Sequence, residues 1–412
     1  MTLDAAGALA TVGAVAVAAV LASAAFRRTN IPDVLLLIAL GILAGPLLHL
    51  LDPALFHALA PVASIAAVLV ILFDGGLDVR AGELARGAGP ALAVALASFV
   101  LASAGAAALA VALLGLGLAH AVLLGMCFGG AGVAIVIPLI QRMGVGRDAS
   151  ALVSLSSALS DVLLIVSVFA LASALAASGA GESAAFFPVL LAAGLLVAGL
   201  VGWLAGLAWV RLLRGTWARG HESLATVGAV FLVYAVAETL RGSGPLAVLA
   251  FALVLGNSPH ATVIARTALG TTGPPTFHRQ AALAVRAFVF VGLGATLDLA
   301  ALLRPRLLAF GVLCVLAVAA ARGLAVRLGA WRILPDRWDR VSVSLMFPLG
   351  LPTAAASLIP SARFGLAGTE GFPEVAAVVI LLSIVVSSVL VALALQPGAR
   401  RRLGAPAASA AP

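Results

Sequence analysis

The sequence predicts an all-α polytopic membrane protein of about thirteen transmembrane helices arranged as inverted repeats. Three observations carry this: the composition, the placement of arginine, and a pair of interrupted apolar segments at equivalent places in the two halves. Of 412 residues, 63% are hydrophobic and 10% charged, with a mean hydropathy of +1.20. Apolar runs of about 18 or more residues recur along the chain, and a run of that length spans a bilayer as a helix. In such a chain a net charge of +8 says little about nucleic acid, and none is expected as a partner. The lipid bilayer is.

Thirteen apolar segments are read in order, at 5–25, 32–51, 58–78, 88–115, 119–140, 149–177, 185–210, 222–240, 243–258, 283–298, 307–331, 339–361 and 373–396. The first follows Asp4 rather than a basic stretch, and Arg27 and Arg28 come after it, the pattern of a retained helix and not of a cleaved leader. All 24 basic residues are arginine, so a lysine ammonium that exchanges protons is excluded. With the N-terminus outside, 19 arginines fall on inside connections and termini and four outside (Arg241, Arg304, Arg306 and Arg363). That asymmetry predicts N-out, C-in, in a cell inner (plasma) membrane. Cys127 and Cys314 lie within apolar segments and read as small hydrophobes. One transmembrane domain is expected over 1–396, with repeats at about 1–177 and 222–396, a linker helix at 185–210 and a short cytoplasmic tail at 397–412.

The repeat shows in matched motifs. FDGGLDV (73–79) ends the third segment and LGATLDL (293–299) the tenth; GGAGVAIVIP (129–138) in the fifth has its counterpart in FPLGLPTAAASLIP (347–360) in the twelfth. The offset is seven segments, and an odd offset inverts the second copy in the membrane. Backbone broken at membrane depth is tolerated only inside protein or beside a water-filled cavity. Two such breaks at equivalent positions point to the substrate site.

Asp161 lies about halfway along the segment after the first break. An intramembrane acid costs about 2.5–3.5 kcal/mol on insertion scales and is by default a functional residue, here a carboxylate that holds a monovalent cation or a proton in competition. A hydrogen-bonded structural acid is the other reading. Ser157, four residues earlier on the same helix face, either completes an oxygen cage or bonds back to its own helix. Asp74 reads as a second acid lining the cavity or as an interfacial residue ending the third helix. Arg322 sits within the eleventh segment, buried or partly snorkelling. Glu238 is placed at headgroup level. The six histidines form no metal-ligand spacing, no cofactor is expected, and no enzyme motif is present.

Four stretches resemble the monovalent cation/proton antiporter family, the sodium/proton exchangers. LSSALSD (155–161) is similar to the family's sixth-helix motif, Glu-Ser-x-x-Asn-Asp or a near variant, which ends on the ion-binding Asp. ILFDGGLD (71–78) resembles its third helix, and SGPLAVLAFALVLGN (243–257) and FVFVGLGATLDL (288–299) its ninth and tenth. The resemblance covers nearly the whole chain and implies crossed, unwound fifth and twelfth helices, a homodimer and alternating access.

The departures from that pattern are specific. The family's Thr-Asp pair in the fifth helix is Ala131 and Gly132 here, so any ligand from that turn must be a backbone carbonyl. The sixth-helix Glu is Ser156, although its usual Arg partner is present as Arg322. A second Asp, which electrogenic relatives carry before the ion-binding one, is Ser160; exchange of one cation for one proton is therefore expected. With its Glu gone, Arg322 is expected to turn to the carbonyls of the two breaks, or second to Asp74. The implied function is exchange of Na+, or of K+ or Li+, against H+. The alternatives are a K+/H+ antiporter of the potassium-efflux type and a degenerate sensor or scaffold on the same fold.

Overall fold

The computed structural model describes residues 13–22, 24, 33–51, 53–78, 81–178, 187–213, 221–240, 242–258, 277–298, 300 and 304–404. Asp4, the arginines at 27, 28, 80, 214, 219, 241 and 266 used for orientation, and the end of the tail lie outside them. Among the described residues the chain is helical, without strands.

The elements follow the apolar segments. The first four are α1 (Gly13–Ala22), α2 (Asp33–Ile42), α3 (Pro53–Asp78) and α4 (Ala81–Leu109). Both α2 and α4 widen into a π turn, at Leu43–Leu47 and Ala110–Leu114, and the second is stopped by left-handed Gly115. The fifth segment is two helices, α5 (Leu118–Met126) and α6 (Val133–Met143), separated by the glycine cluster. Then come α7 (Arg147–Ser178), α8 (Phe187–Leu213), α9 (Glu222–Thr239), α10 (Gly244–Asn257), α11 (Phe277–Ala295) and α12 (Pro305–Gly329). The twelfth segment is likewise split, into α13 (Arg337–Ser344) and α14 (Leu351–Ala362), and α15 (Phe372–Ala394) and a short α16 (Pro397–Leu403) close the chain. Among the described residues five stretches, in α4 with its π turn, α7, α8, α12 and α15, are long and apolar enough to cross a membrane by themselves.

Packing divides these helices. One apolar core joins α3, α8, α9 and α10 around Phe73 and Phe251, whose rings stack at 6.2 Å. A larger core holds α4–α7 and α12–α15, and α2 and α11 contribute to it. The partnerships obey the inverted repeat. Segment two packs on segment ten (α2 on α11), and seven segments on, segment nine packs on segment three (α10 on α3). Both contacts are backbone-close: a Cβ on Gly41 or Gly294 would run into the facing carbonyl of Val291 or Ile38, and one on Gly256 would lie 2.5 Å from the Leu77 carbonyl. Outward faces stay apolar, as with Leu196, Leu200 and Leu204 on α8 and Leu316, Leu324 and Leu328 on α12. Such faces suit hydrocarbon as solvent.

Candidate functional site

The two breaks meet at one point. The Gly132 N–H donates to the Pro348 carbonyl at 2.9 Å, so the turn before α6 is bonded to the turn before α14. A Cβ built on Gly132 would lie 2.9 Å from both the N and the Cα of Gly350, and one on Gly350 would lie 3.2 Å from Gly132 Cα. A side chain at Gly132 would force the facing backbone apart, and one at Gly350 would be tight against it. A helix start leaves its first N–H groups without intrahelical partners, and here they are turned to use.

That use is Asp161. The α7 carboxylate, 4% exposed, accepts from the Ala131 N–H at 3.1 Å (Oδ1) and from the Val133 N–H at 3.3 Å (Oδ2). Gly130 gives it room, since a Cβ there would stand 2.8 Å from Oδ1. The start of α6 thus places a partial positive charge against the acid. Among the described residues Asp161 makes no ion pair. The acid is held by N–H donors of this turn, which leaves the turn's carbonyls as the groups that could face a cation. Of the two carbonyls, that of Gly132 accepts from Ile135 and Val136 at 2.9 and 3.0 Å and so begins α6, while no donor among the described residues reaches that of Ala131.

Three serines line the same stretch of α7, all fully buried. Ser160 donates to the Ser157 carbonyl at 2.9 Å and Ser156 to the Val153 carbonyl at 3.3 Å. Both bond back to their own helix. Ser157 does not: its hydroxyl has no partner, one turn from Asp161. A buried orphan hydroxyl is costly unless something binds it. The Asp161 carboxylate and, one helical turn away, the Ser157 hydroxyl are oxygen donors, the kind a hard cation takes.

Arg322 is buried, 2% exposed, so its side chain does not snorkel. Its partner corrects the expectation from sequence. The guanidinium Nη2 donates to the Ser156 hydroxyl at 3.0 Å, rather than to a carbonyl of either break or to Asp74, and its Nε and Nη1 are left without partners. The serine oxygen is the acceptor that geometry leaves closest to hand once no glutamate stands at that position. Asp74 is exposed on α3, one residue before Gly75, whose Cα faces Val162 of α7. Glu238 has fixed partners: it accepts from Arg363 at 2.7 Å and from the Gly244 N–H at 3.0 Å.

Sequence reasoning missed Ser383 and Ser387 on α15. Ser383 accepts from the Leu349 N–H at 3.0 Å and Ser387 donates to the Leu345 carbonyl at 2.9 Å, so the two hold the second break by both ends. Their signal was two serines four apart, with Ser388 beside the second, in the apolar run after Glu374. Trp338 and Asp339 tie α13 to the far end of α6, through the Met143 carbonyl at 3.1 Å and the Gly146 N–H at 3.3 Å. No cluster of His, Cys, Asp or Glu able to hold a metal occurs among the described residues.

Residues 15–396 match the model of a family described as sodium/hydrogen exchanger, transmembrane. A K(+)/H(+) antiporter NhaP2 of Shewanella oneidensis is 28% identical over 247 residues, 58% of this chain and 42% of the relative. One from Shewanella sp. (strain ANA-3) is 27% identical over 251 residues, 59% and 43% respectively. The chain thus spans less than half the length of the curated relatives it matches. The structure of the sodium proton antiporter MjNhaP1 from Methanocaldococcus jannaschii at pH 8 shares the fold, with a TM-score of 0.75 at 22% identity over 94% of this chain and 98% of that one.

Proposed function

Because this chain belongs to the sodium/hydrogen exchanger family and is a multi-pass membrane protein, we propose that it exchanges a monovalent cation, Na+ first, for H+ by alternating access. The observation that carries this reading is Asp161, a buried acid facing an unwound helix start with no ion pair among the described residues. One positive charge satisfies it, and a cation or a proton supplies that charge equally well. Cation and proton therefore exclude each other at one oxygen cluster. Ser157 and the Ala131 carbonyl complete the cation's shell, and the two N–H groups hold the carboxylate between occupants.

K+ is the second reading, favoured by the names of the curated relatives, which are K(+)/H(+) antiporters. We place the protein in a cell inner membrane, N-terminus outside and C-terminus cytoplasmic, as a homodimer, on the arginine asymmetry and the family resemblance. The test is a pH-gradient assay in proteoliposomes with Na+, K+ and Li+ offered in turn. Proton movement with Na+ supports the first reading, with K+ alone the second; none with any cation overturns both and leaves the sensor or scaffold.

A further inference from the structure

We propose that the end of α12, together with α13 and α16, forms a surface that binds the phosphates of anionic phospholipids. The proposal rests on the membrane reading alone and is independent of the ion carried. The outward face of α12 is apolar through Leu316, Leu324 and Leu328 and then reaches Trp331, which is 50% exposed. An amphipathic ring at the end of an apolar helix face sits at headgroup level. This one is flanked by guanidinium groups, Arg340 at 4.1 Å and Arg327 at 5.7 Å from the ring centre. Arg400 of α16 lies 5.6 Å from the ring of buried Trp338, which packs the tail helix against α13.

The charge balance favours an external anion. Residues 327–340 and 397–404 hold seven arginines and two acids, Asp336 and Asp339. Asp339 is buried and accepts the Gly146 N–H, leaving exposed Asp336 as the acid at the surface. Asp148, at the start of α7, is the next acid whose field reaches Asp339. Among the described residues no carboxylate lies within ion-pair distance of Arg327, Arg332, Arg340, Arg401 or Arg402, and Arg332, Arg401 and Arg402 are exposed. Basic side chains at the rim of an apolar face, unmatched by acids, fit a headgroup phosphate whose acyl chains lie along that face.

The test measures thermal stability of the purified full chain in neutral detergent against added phosphatidylglycerol, phosphatidylcholine or inorganic phosphate. Phosphatidylglycerol is expected to raise Tm in a saturable way, and the other two to leave it unchanged. Each arginine near an anionic surface is worth roughly fivefold in affinity, so Arg401→Gln with Arg402→Gln should shift the lipid titration by roughly 25-fold. Trp331→Ala should weaken it with the arginines intact. An equal rise with phosphatidylcholine, the same rise with free phosphate, or an unchanged titration in both variants would each overturn the proposal. None of these outcomes bears on cation exchange, which is read separately in proteoliposomes.

Discussion

Arg322 Nη2 and Ser156 Oγ stand 3.0 Å apart in the middle of the protein, a buried guanidinium bonded to a neutral hydroxyl. The serine O–H donates to the Val153 carbonyl, so its lone pairs are free for the arginine. The remaining N–H groups, Nε and Nη1, are unmatched. Ser156→Ala is expected to cost about 1–3 kcal/mol, the penalty for stripping a buried donor of its partner. Ser156→Glu should raise Tm, because a carboxylate there returns a full ion pair to a charge that is already desolvated. Thermal melts of both variants decide this, and a glutamate variant no more stable than the parent counts against it.

Asp161→Asn should abolish exchange while leaving the protein folded. The amide oxygen can still accept one of the two α6 N–H groups, but the amide neither titrates nor balances a cation. The change in stability should stay within about 1–3 kcal/mol, the cost of the one acceptor lost. Cation-dependent proton release checks the first part and circular dichroism the second; normal proton release from this variant would remove Asp161 from the site.

Gly132→Ala puts a methyl group against the Gly350 backbone. Overfilling a packed contact typically costs about 1–3 kcal/mol, and here it would also part the two turns that the Gly132–Pro348 hydrogen bond joins. We expect lower Tm and reduced exchange together. Gly130→Ala meets the Asp161 oxygen and the flexible end of Leu164 instead, and should alter apparent cation affinity more than Tm. The pair separates the crossing from the ligand.

Transport should be electroneutral. The site holds one acid, Ser160 occupies the position where a second would stand, and the chain has no lysine. An imposed membrane potential, with the pH gradient clamped, should leave the rate unchanged. A potential-driven flux would demand a second charge that moves.

Glu238→Ala should destabilise the protein more than Arg363→Ala. The ion pair between them is partly solvated, with side chains 23% and 36% exposed, and such pairs are worth about 0.2–1 kcal/mol. Glu238 also caps the first N–H of α10 at Gly244, and losing a cap costs about 0.5–2 kcal/mol more. Equal melts for the two variants would show that the cap contributes nothing.

Much of this was legible before any coordinates. Apolar length and broken segments are local, one-dimensional signals, and both survive as helices and turns in the places expected. Asp161 stood out because a charge in an apolar run has no cheap explanation. What the sequence could not convey was direction. It gave no sign that the Ala131 and Val133 N–H groups hold the acid, which follows only from how α6 starts against α7. The partner of Arg322 was misjudged for the same reason, since the nearest acceptor across α7 and α12 is a matter of rotation about two helix axes. Ser383 and Ser387 were passed over because isolated serines on apolar helices are common, and only their shared face toward the second break gives them a role.

The exchange of partners between the repeats has a consequence for how the molecule is made. During synthesis α2 and α3 enter the membrane long before α11 and α10, the helices against which their glycine faces close. Until those arrive, Gly41 and Gly76 line clefts with no backbone opposite. The glycine faces of the early helices are completed by helices of the other half, so the early helices must be kept from wrong neighbours while the late ones are translated. A chain cut after α8 would insert as helices yet have no finished packing, because each half's clefts are filled only by the other.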